Sequence, residues 1–169
     1  MRIEIPEKAV IMLMGCTSSG KTSFALKHFK KTEVLSSDAF REMIADDEND
    51  QSVTKDAFAL LYHTARLRLK KGKRCVIDAT NTQAFARRQV LKLAWSFDLP
   101  CIAIVLVVDE EMLLDRNRMR KDRGYPDYVV KRHLRKLNES VSVLGEEGFN
   151  SVYVLNGVNE IDGAEIIIS

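Results

Sequence analysis

Cysteine is scarce in this chain of 169 residues, and the few present do not pair by count or spacing. Cys16, Cys75 and Cys101 are odd in number and nowhere form a C-x-x-C step, which argues against a disulfide framework or a zinc site and suits a reducing compartment. Long apolar runs are missing as well. The longest, from Cys101 to Val108, falls far short of the roughly 20 residues that a membrane helix needs. Neither sign of charge dominates: 26 Lys+Arg against 24 Asp+Glu leave a formal +2, too little to announce nucleic-acid binding by bulk charge alone. There is no repeat, low-complexity tract or interdomain linker. The opening Met1-Arg2-Ile3-Glu4-Ile5-Pro6-Glu7 is charged and lacks the layout of a signal peptide, so the expectation is a cytoplasmic protein with no membrane partner.

What is present is the composition of an ordinary globular domain, 46% hydrophobic and 30% charged, long enough for one substantial core spanning 1–169. The chain leaves off at Ile166-Ile167-Ile168-Ser169, straight out of an apolar run. Polar residues are commoner at chain ends, so a full-length chain and a domain cut from a longer polypeptide both stay open. Apolar β-type runs at 10–14, 33–36, 74–79, 102–108 and 152–155, with a further one at 165–168, alternate with helical stretches at 21–29, 38–45, 54–71, 83–97, 110–119 and 127–144. The runs show little in–out alternation, as parallel strands covered on both faces do. The expected fold class is therefore α/β, a central parallel sheet with helices on both sides and ligands at the carboxyl ends of the strands.

The segment Gly15-Cys16-Thr17-Ser18-Ser19-Gly20-Lys21-Thr22 satisfies G-x-x-x-x-G-K-[ST] at every fixed position. An apolar run feeds into it and a helical segment leads out, the context that separates a phosphate-binding loop from a Gly/Ser turn. Gly15 and Gly20 permit backbone geometry and close approach that a β-carbon would obstruct. The N–H groups of the loop can then converge on a phosphate at the positive end of the following helix. Lys21 is expected to neutralise β- and γ-phosphate oxygens, and Thr22 to offer its hydroxyl to Mg²⁺. Cys16, inside the loop, could feel a lowered pKa there; it reads as a tolerated variable position. No N-K-x-D guanine signature occurs, so ATP is the default donor, with GTP or another nucleoside triphosphate still open.

Three further constellations carry chemistry. Asp38 follows the run at 33–36 and opens a helix, with Arg41 three residues later on the same face. Such a pair can take a proton from an attacking hydroxyl and clamp an anion beside it, or it can be a helix cap with a surface ion pair. Asp78 closes an apolar strand before Ala79-Thr80-Asn81, the usual setting for a carboxylate that holds Mg²⁺ or its water, and equally that of a capping residue. Arg116, Arg120 and Arg123 are spaced i, i+4, i+7, so a helix would point all three one way, and Gly124-Tyr125-Pro126 would break it as a hinged flap. These arginines sit in a basic run with Arg118, Lys121, Lys131, Arg132, Arg135 and Lys136, which could equally be a solvated helix face. Arg118 reads as a surface residue. His28, His63 and His133 lack metal-ligand spacing and read as structural. Phe85, Trp95 and Phe97 read as packing against the sheet rather than stacking on bases.

The phosphate loop, Ser36-Ser37-Asp38 with Arg41, the acidic stretch Asp46-Asp47-Glu48-Asn49-Asp50-Gln51, Asp78-Ala79-Thr80-Asn81 and the arginines at 116–123 together resemble, in order and spacing, the polynucleotide 5′-kinases. The likeness is to the kinase domain of bacterial polynucleotide kinase–phosphatase–ligase RNA-repair enzymes, and it covers essentially the whole chain. The resemblance implies Asp38 as general base, Arg41 as the contact to the acceptor phosphate, Lys21 and Thr22 as donor-phosphate and Mg²⁺ ligands, and Arg116, Arg120 and Arg123 as lid arginines. Thr22 stands where a serine is common. The implied partners are 5′-OH ends of RNA or DNA, with phosphatase and ligase modules in the same polypeptide or pathway, although the chain has no recognisable phosphatase or ligase segment. A small-molecule or metabolite kinase, a toxin kinase acting on a sugar-nucleotide, and a nucleotide-dependent switch remain as rivals.

Overall fold

The computed structural model describes residues 1–120 and 124–169. Its centre is a five-stranded sheet, all parallel, in the order β3-β4-β2-β5-β6. The strands are β2 (Val10–Gly15), β3 (Val34–Ser36), β4 (Cys75–Asp78), β5 (Cys101–Val107) and β6 (Ser151–Asn156). Every residue of β2 and β4 is buried, as expected of apolar strands covered on both faces. The covering helices are α1 (Lys21–His28), α2 (Ser37–Ala45), α3 (Thr54–Lys70), α4 (Ala84–Trp95), α5 (Glu110–Met119), α6 (Asp127–Val141) and α7 (Gly157–Asp162). The expected α/β class is therefore the one observed.

Strand order fixes where a ligand can bind. From β2 the chain crosses to β3, returns to β4 beside β2, and only then passes to β5 on the other flank. The order reverses at β2, and the crevice beyond its carboxyl end is where open α/β sheets take their ligands. Register does the rest. Leu13 and Ser36 both lie opposite Asp78, and Gly15 lies opposite Leu106. One edge of the sheet thus collects the phosphate loop, the start of α2 and the end of β4.

Several elements differ from expectation. The run at 165–168 does form a strand, β7 (Glu165–Ile168), but it pairs in parallel with β1 (Arg2–Ile5) in a separate two-stranded sheet. The opening residues alternate charge and isoleucine, and Ile3 and Ile5 are fully buried while Arg2 and Glu4 are exposed. That period of two is a half-buried strand signal, hidden in the sequence by its brevity and by Pro6. The short helix α7 was likewise not expected, because six residues are too few for a helical period to show. At the other end of the scale, α6 stops at Val141 and a 3₁₀ turn over Leu144–Glu146 follows. Among the described residues, no helix is long and apolar enough to cross a membrane.

Candidate active site

The phosphate loop occupies the crevice at the end of β2. Gly20 has φ of 90°, left-handed backbone that favours glycine, and Ser18 adopts the same region at 64°. Gly15 is required for a different reason: a β-carbon there would lie 2.9 Å from the Leu106 carbonyl oxygen and 2.7 Å from Ser19 Oγ. Ser18 Oγ is buried without a hydrogen-bond partner. A donor so placed costs free energy unless an acceptor arrives, and an anion in the loop would supply one. Thr17, Ser18, Ser19, Gly20, Lys21 and Thr22 all line a cavity of about 1030 Å³. Cys16 does not; its side chain is turned into the core and is fully buried.

Lys21 is itself buried, 9% exposed, not at a solvated position as loop placement would suggest. Its Nζ donates to the Cys16 carbonyl at 2.6 Å and to Ser19 Oγ at 3.4 Å. The ammonium is thereby held against the loop's own backbone. Thr22 Oγ1 donates to Asp78 Oδ2 at 2.6 Å, so the two groups expected to share a metal are brought together across 56 residues of sequence. Burial pushes the Asp78 carboxyl up, the Thr22 hydrogen bond and the Lys21 charge oppose that, and the Asp38 charge adds to it. Among the described residues there is no cluster of three or more His, Cys, Asp or Glu side chains able to cage a metal. One hydroxyl and one carboxylate are instead the donor set that suits Mg²⁺, which keeps several waters and takes its remaining ligands from phosphate.

On the far side of β4, α2 starts at Ser37 and presents Asp38 and Arg41 to the same cavity. Arg41 Nη1 donates to Asp38 Oδ1, and Arg41 Nε donates to Thr54 Oγ1 at 3.2 Å. Arg41 is only 7% exposed, which removes the reading of a solvated surface pair. A guanidinium this buried at a cavity wall is a strong anion contact, because little water competes for it.

The arginine series departs from its helical expectation. Helix α5 ends at Met119, and Arg120 caps it with extended backbone, φ −73° and ψ 111°. Arg116 and Arg120 both line the cavity, and Arg116 Nη1 reaches the Ser18 carbonyl at 3.5 Å, over the phosphate loop. They do so from a helix and from the turn after it, not from one helical stripe. Arg123 lies outside the described residues. Arg118 pairs instead with Asp127 at 2.7 Å on the exposed surface, and Lys131 with Glu110 at 3.5 Å, so part of the basic run is a solvated face.

Several contributors were given no role at the site from the sequence. Asn117, 1% exposed, holds the backbone of Tyr125 reciprocally, Nδ2 to the carbonyl at 2.6 Å and the Tyr125 N–H to Oδ1 at 3.1 Å. That contact pins the base of the expected flap. Asn81 takes left-handed backbone at φ 51° and donates from Nδ2 to the Leu13 carbonyl at 2.7 Å, while the Gly15 N–H donates to the Thr80 carbonyl at 3.1 Å. The loop after Asp78 is so fastened to the phosphate loop. His133 and Phe85, read as structural, both line the cavity, as do Val158 and Ile161 of α7. An asparagine beside a metal-type aspartate was a legible signal. The rest depended on which helix faces the crevice.

Cys16 corrects a second expectation. Burial drives its thiol up to about 11, outweighing the nearby Lys21, and Cys75 and Cys101 are raised by burial to about 11 and about 12. None of the three should react measurably with an aromatic disulfide reagent at pH 7.5 in the folded protein, and three should react in denaturant. Rapid native labelling of even one would contradict this burial.

A parallel sheet ordered around a glycine-bounded phosphate loop, with a carboxylate on the adjacent strand, defines a nucleotide-binding domain of the P-loop kinase-like class. The chain belongs to the AAA_33 family, described as AAA domain, whose profile matches residues 10–144. No curated protein matches its sequence. Among solved structures it is similar to a chain of the Pnkp1/Rnl/Hen1 RNA repair complex, at 20% identity and a TM-score of 0.69 over 82% of this chain and 46% of that one. It is also similar to Kti12 of Chaetomium thermophilum in complex with ADP-AlF3, at 17% identity and a TM-score of 0.65 over 90% and 93% of the two chains. A gluconokinase of Sinorhizobium meliloti gives 16% identity and a TM-score of 0.56 over 94% and 87%. At such identities the likeness concerns the fold alone.

Proposed function

We propose that this chain is a polynucleotide 5′-hydroxyl kinase, moving the γ-phosphate of a nucleoside triphosphate onto the 5′-OH end of RNA or DNA during end healing. One observation carries the reading: a carboxylate and a buried guanidinium, Asp38 and Arg41, share a cavity with the phosphate loop. In this account the phosphate loop N–H groups, the Ser18 hydroxyl and Lys21 hold the β- and γ-phosphates of the donor. Thr22 and Asp78 would hold Mg²⁺, which when bound neutralises charge on those phosphate oxygens. Asp38 accepts the proton of the 5′-hydroxyl as the 5′-oxygen bonds to the γ-phosphorus and the bond to the β–γ bridging oxygen breaks, releasing the diphosphate. Arg41 grips the phosphate next to the reacting nucleoside. Arg116, Arg120 and Arg123 meet the charge that spreads over the moving phosphoryl group. Phosphatase and ligase activities would act on the same ends from elsewhere in the polypeptide or pathway, and the cytoplasm is the proposed setting.

Arg41 separates this reading from a metabolite kinase on the same scaffold. Arg41→Ala is expected to lower kcat/KM by roughly tenfold to a hundredfold on a 5′-OH dinucleotide and on a nucleoside 3′-phosphate, because a charge-assisted contact that fixes attack geometry is lost. On the bare nucleoside the loss should be far smaller, since that acceptor offers the clamp no phosphate. Steady-state kinetics on the three acceptors decide it. Equal losses on all three would mean that Arg41 serves the donor or the fold, and would remove the main support for a polynucleotide acceptor.

A further inference from the structure

Phe85 is a large aromatic side chain left 65% exposed at the mouth of a phosphoryl-transfer cavity. It stands in the first turn of α4, and α4 covers the sheet with Val90, Leu91, Leu93 and Ala94, each at most 1% exposed. Phe85 takes no part in that packing. Single exposed aromatics are common on protein surfaces and need no explanation. Trp95, 55% exposed on the same helix, is such a case: it lies outside the cavity and covers Gly148. Phe85 differs because its exposed ring is part of the cavity wall.

The backbone that carries that ring is fixed by contacts that owe nothing to it. Arg87, 2% exposed, makes a two-bond pair with Glu147, Nη2 to Oε1 at 2.6 Å and Nε to Oε2 at 2.7 Å. Its Nη1 donates to the Thr82 carbonyl at 3.0 Å, and Ser140 Oγ of α6 donates to the same oxygen at 3.0 Å. The turn that launches α4 is therefore tied to α6 on one side and, through Asn81 and Leu13, to the phosphate-loop strand on the other. A turn held this way loses little backbone freedom when a ligand meets the ring it carries. Asp38 and Arg41 of α2 and Phe58 of α3 line the same cavity.

We propose that Phe85 is the platform on which the nucleobase of the acceptor's terminal nucleotide stacks, a role that rests on the polynucleotide-end reading above and deepens it. A planar aromatic face accepts any base, which gives an acceptor site tolerant of sequence but selective for base-bearing 5′ ends over polyols. Arg41 then fixes the phosphate and Phe85 fixes the base, two points that orient the 5′-hydroxyl between them toward Asp38.

The test compares wild type, Phe85→Ala and Phe85→Trp on two 5′-OH dinucleotides that differ only in whether the 5′ nucleotide carries a base or is abasic. Phe85→Ala should raise KM on the base-bearing acceptor by roughly tenfold, the scale of one base–aromatic stack, with ATP affinity unchanged. On the abasic acceptor it should match wild type within about twofold, and Phe85→Trp should behave as wild type on both. A 2-aminopurine base at the 5′ end should be quenched on binding by wild type and by Phe85→Trp, and not by Phe85→Ala. If wild type phosphorylates both acceptors and Phe85→Ala loses equally on both or on neither, the platform falls while the kinase reading stands. If wild type phosphorylates neither, the polynucleotide reading falls and the platform with it.

Discussion

Asp38→Asn is expected to slow phosphoryl transfer by roughly a hundredfold to ten-thousandfold, about 3–5 kcal/mol of barrier, the usual cost of losing a general base. The carboxamide keeps an acceptor oxygen for the buried guanidinium of Arg41, which also retains Thr54, so the wall of the cavity should survive. Because Asp38 stands across β4 from the phosphate loop, affinity for Mg²⁺–nucleotide should stay within a few fold. Single-turnover transfer and calorimetric nucleotide binding separate the two effects. Abolished nucleotide binding would make Asp38 a metal ligand first and leave the base without a candidate.

Lys21→Ala should also cost transfer roughly a hundredfold or more, since an electrostatic contact to the phosphates is typically worth several kcal/mol. Here a stability cost accompanies it. Lys21 Nζ donates to the Cys16 carbonyl at 2.6 Å in a buried setting, so the variant leaves that oxygen with only the longer bond from the Ser19 N–H at 3.3 Å, a loss of about 1 kcal/mol. Both readouts are needed: thermal unfolding for the loop, single-turnover transfer at a temperature where the variant is folded for the chemistry. Near-normal transfer by the folded variant would contradict the donor-site assignment.

Local chemistry in this chain was legible from the sequence, and relations across the sheet were legible in part. Gly15 and Gly20, Lys21 and Thr22 lie within one loop, and their spacing alone prescribes the strand–loop–helix that forms. Asp78 could be placed because a strand ending in aspartate at the carboxyl edge of a parallel sheet has few destinations, and it does meet Thr22. The arginines were less legible. A spacing of i, i+4, i+7 assumes an unbroken helix, but α5 ends at Met119, with Asn117 gripping Tyr125 just beyond. Phe85 and Arg87 show what spacing cannot carry. One aromatic two residues from a buried arginine reads as packing until the fold decides which side meets the crevice.

The β1–β7 pair was missed for a related reason. Its two strands have four residues each and lie at opposite ends of the chain, so nothing local marks them as partners. The acidic stretch after α2 closes through its own side chains, with Asp50 accepting from the Ser52 N–H at 2.8 Å, while Gln51 at its end lines the cavity and accepts from Thr54 Oγ1 at 3.4 Å.

The central claim is tested most directly by incubating the wild-type protein and Mg²⁺ with γ-labelled ATP, and separately γ-labelled GTP, in the presence of 5′-OH or 5′-phosphate oligonucleotides of RNA and DNA. The account predicts label covalently attached to 5′-OH oligonucleotides and none on their 5′-phosphate counterparts. Release of labelled phosphate with no labelled oligonucleotide under any of these conditions would contradict it, and would leave a nucleotide-hydrolysing switch or a kinase of another acceptor in its place.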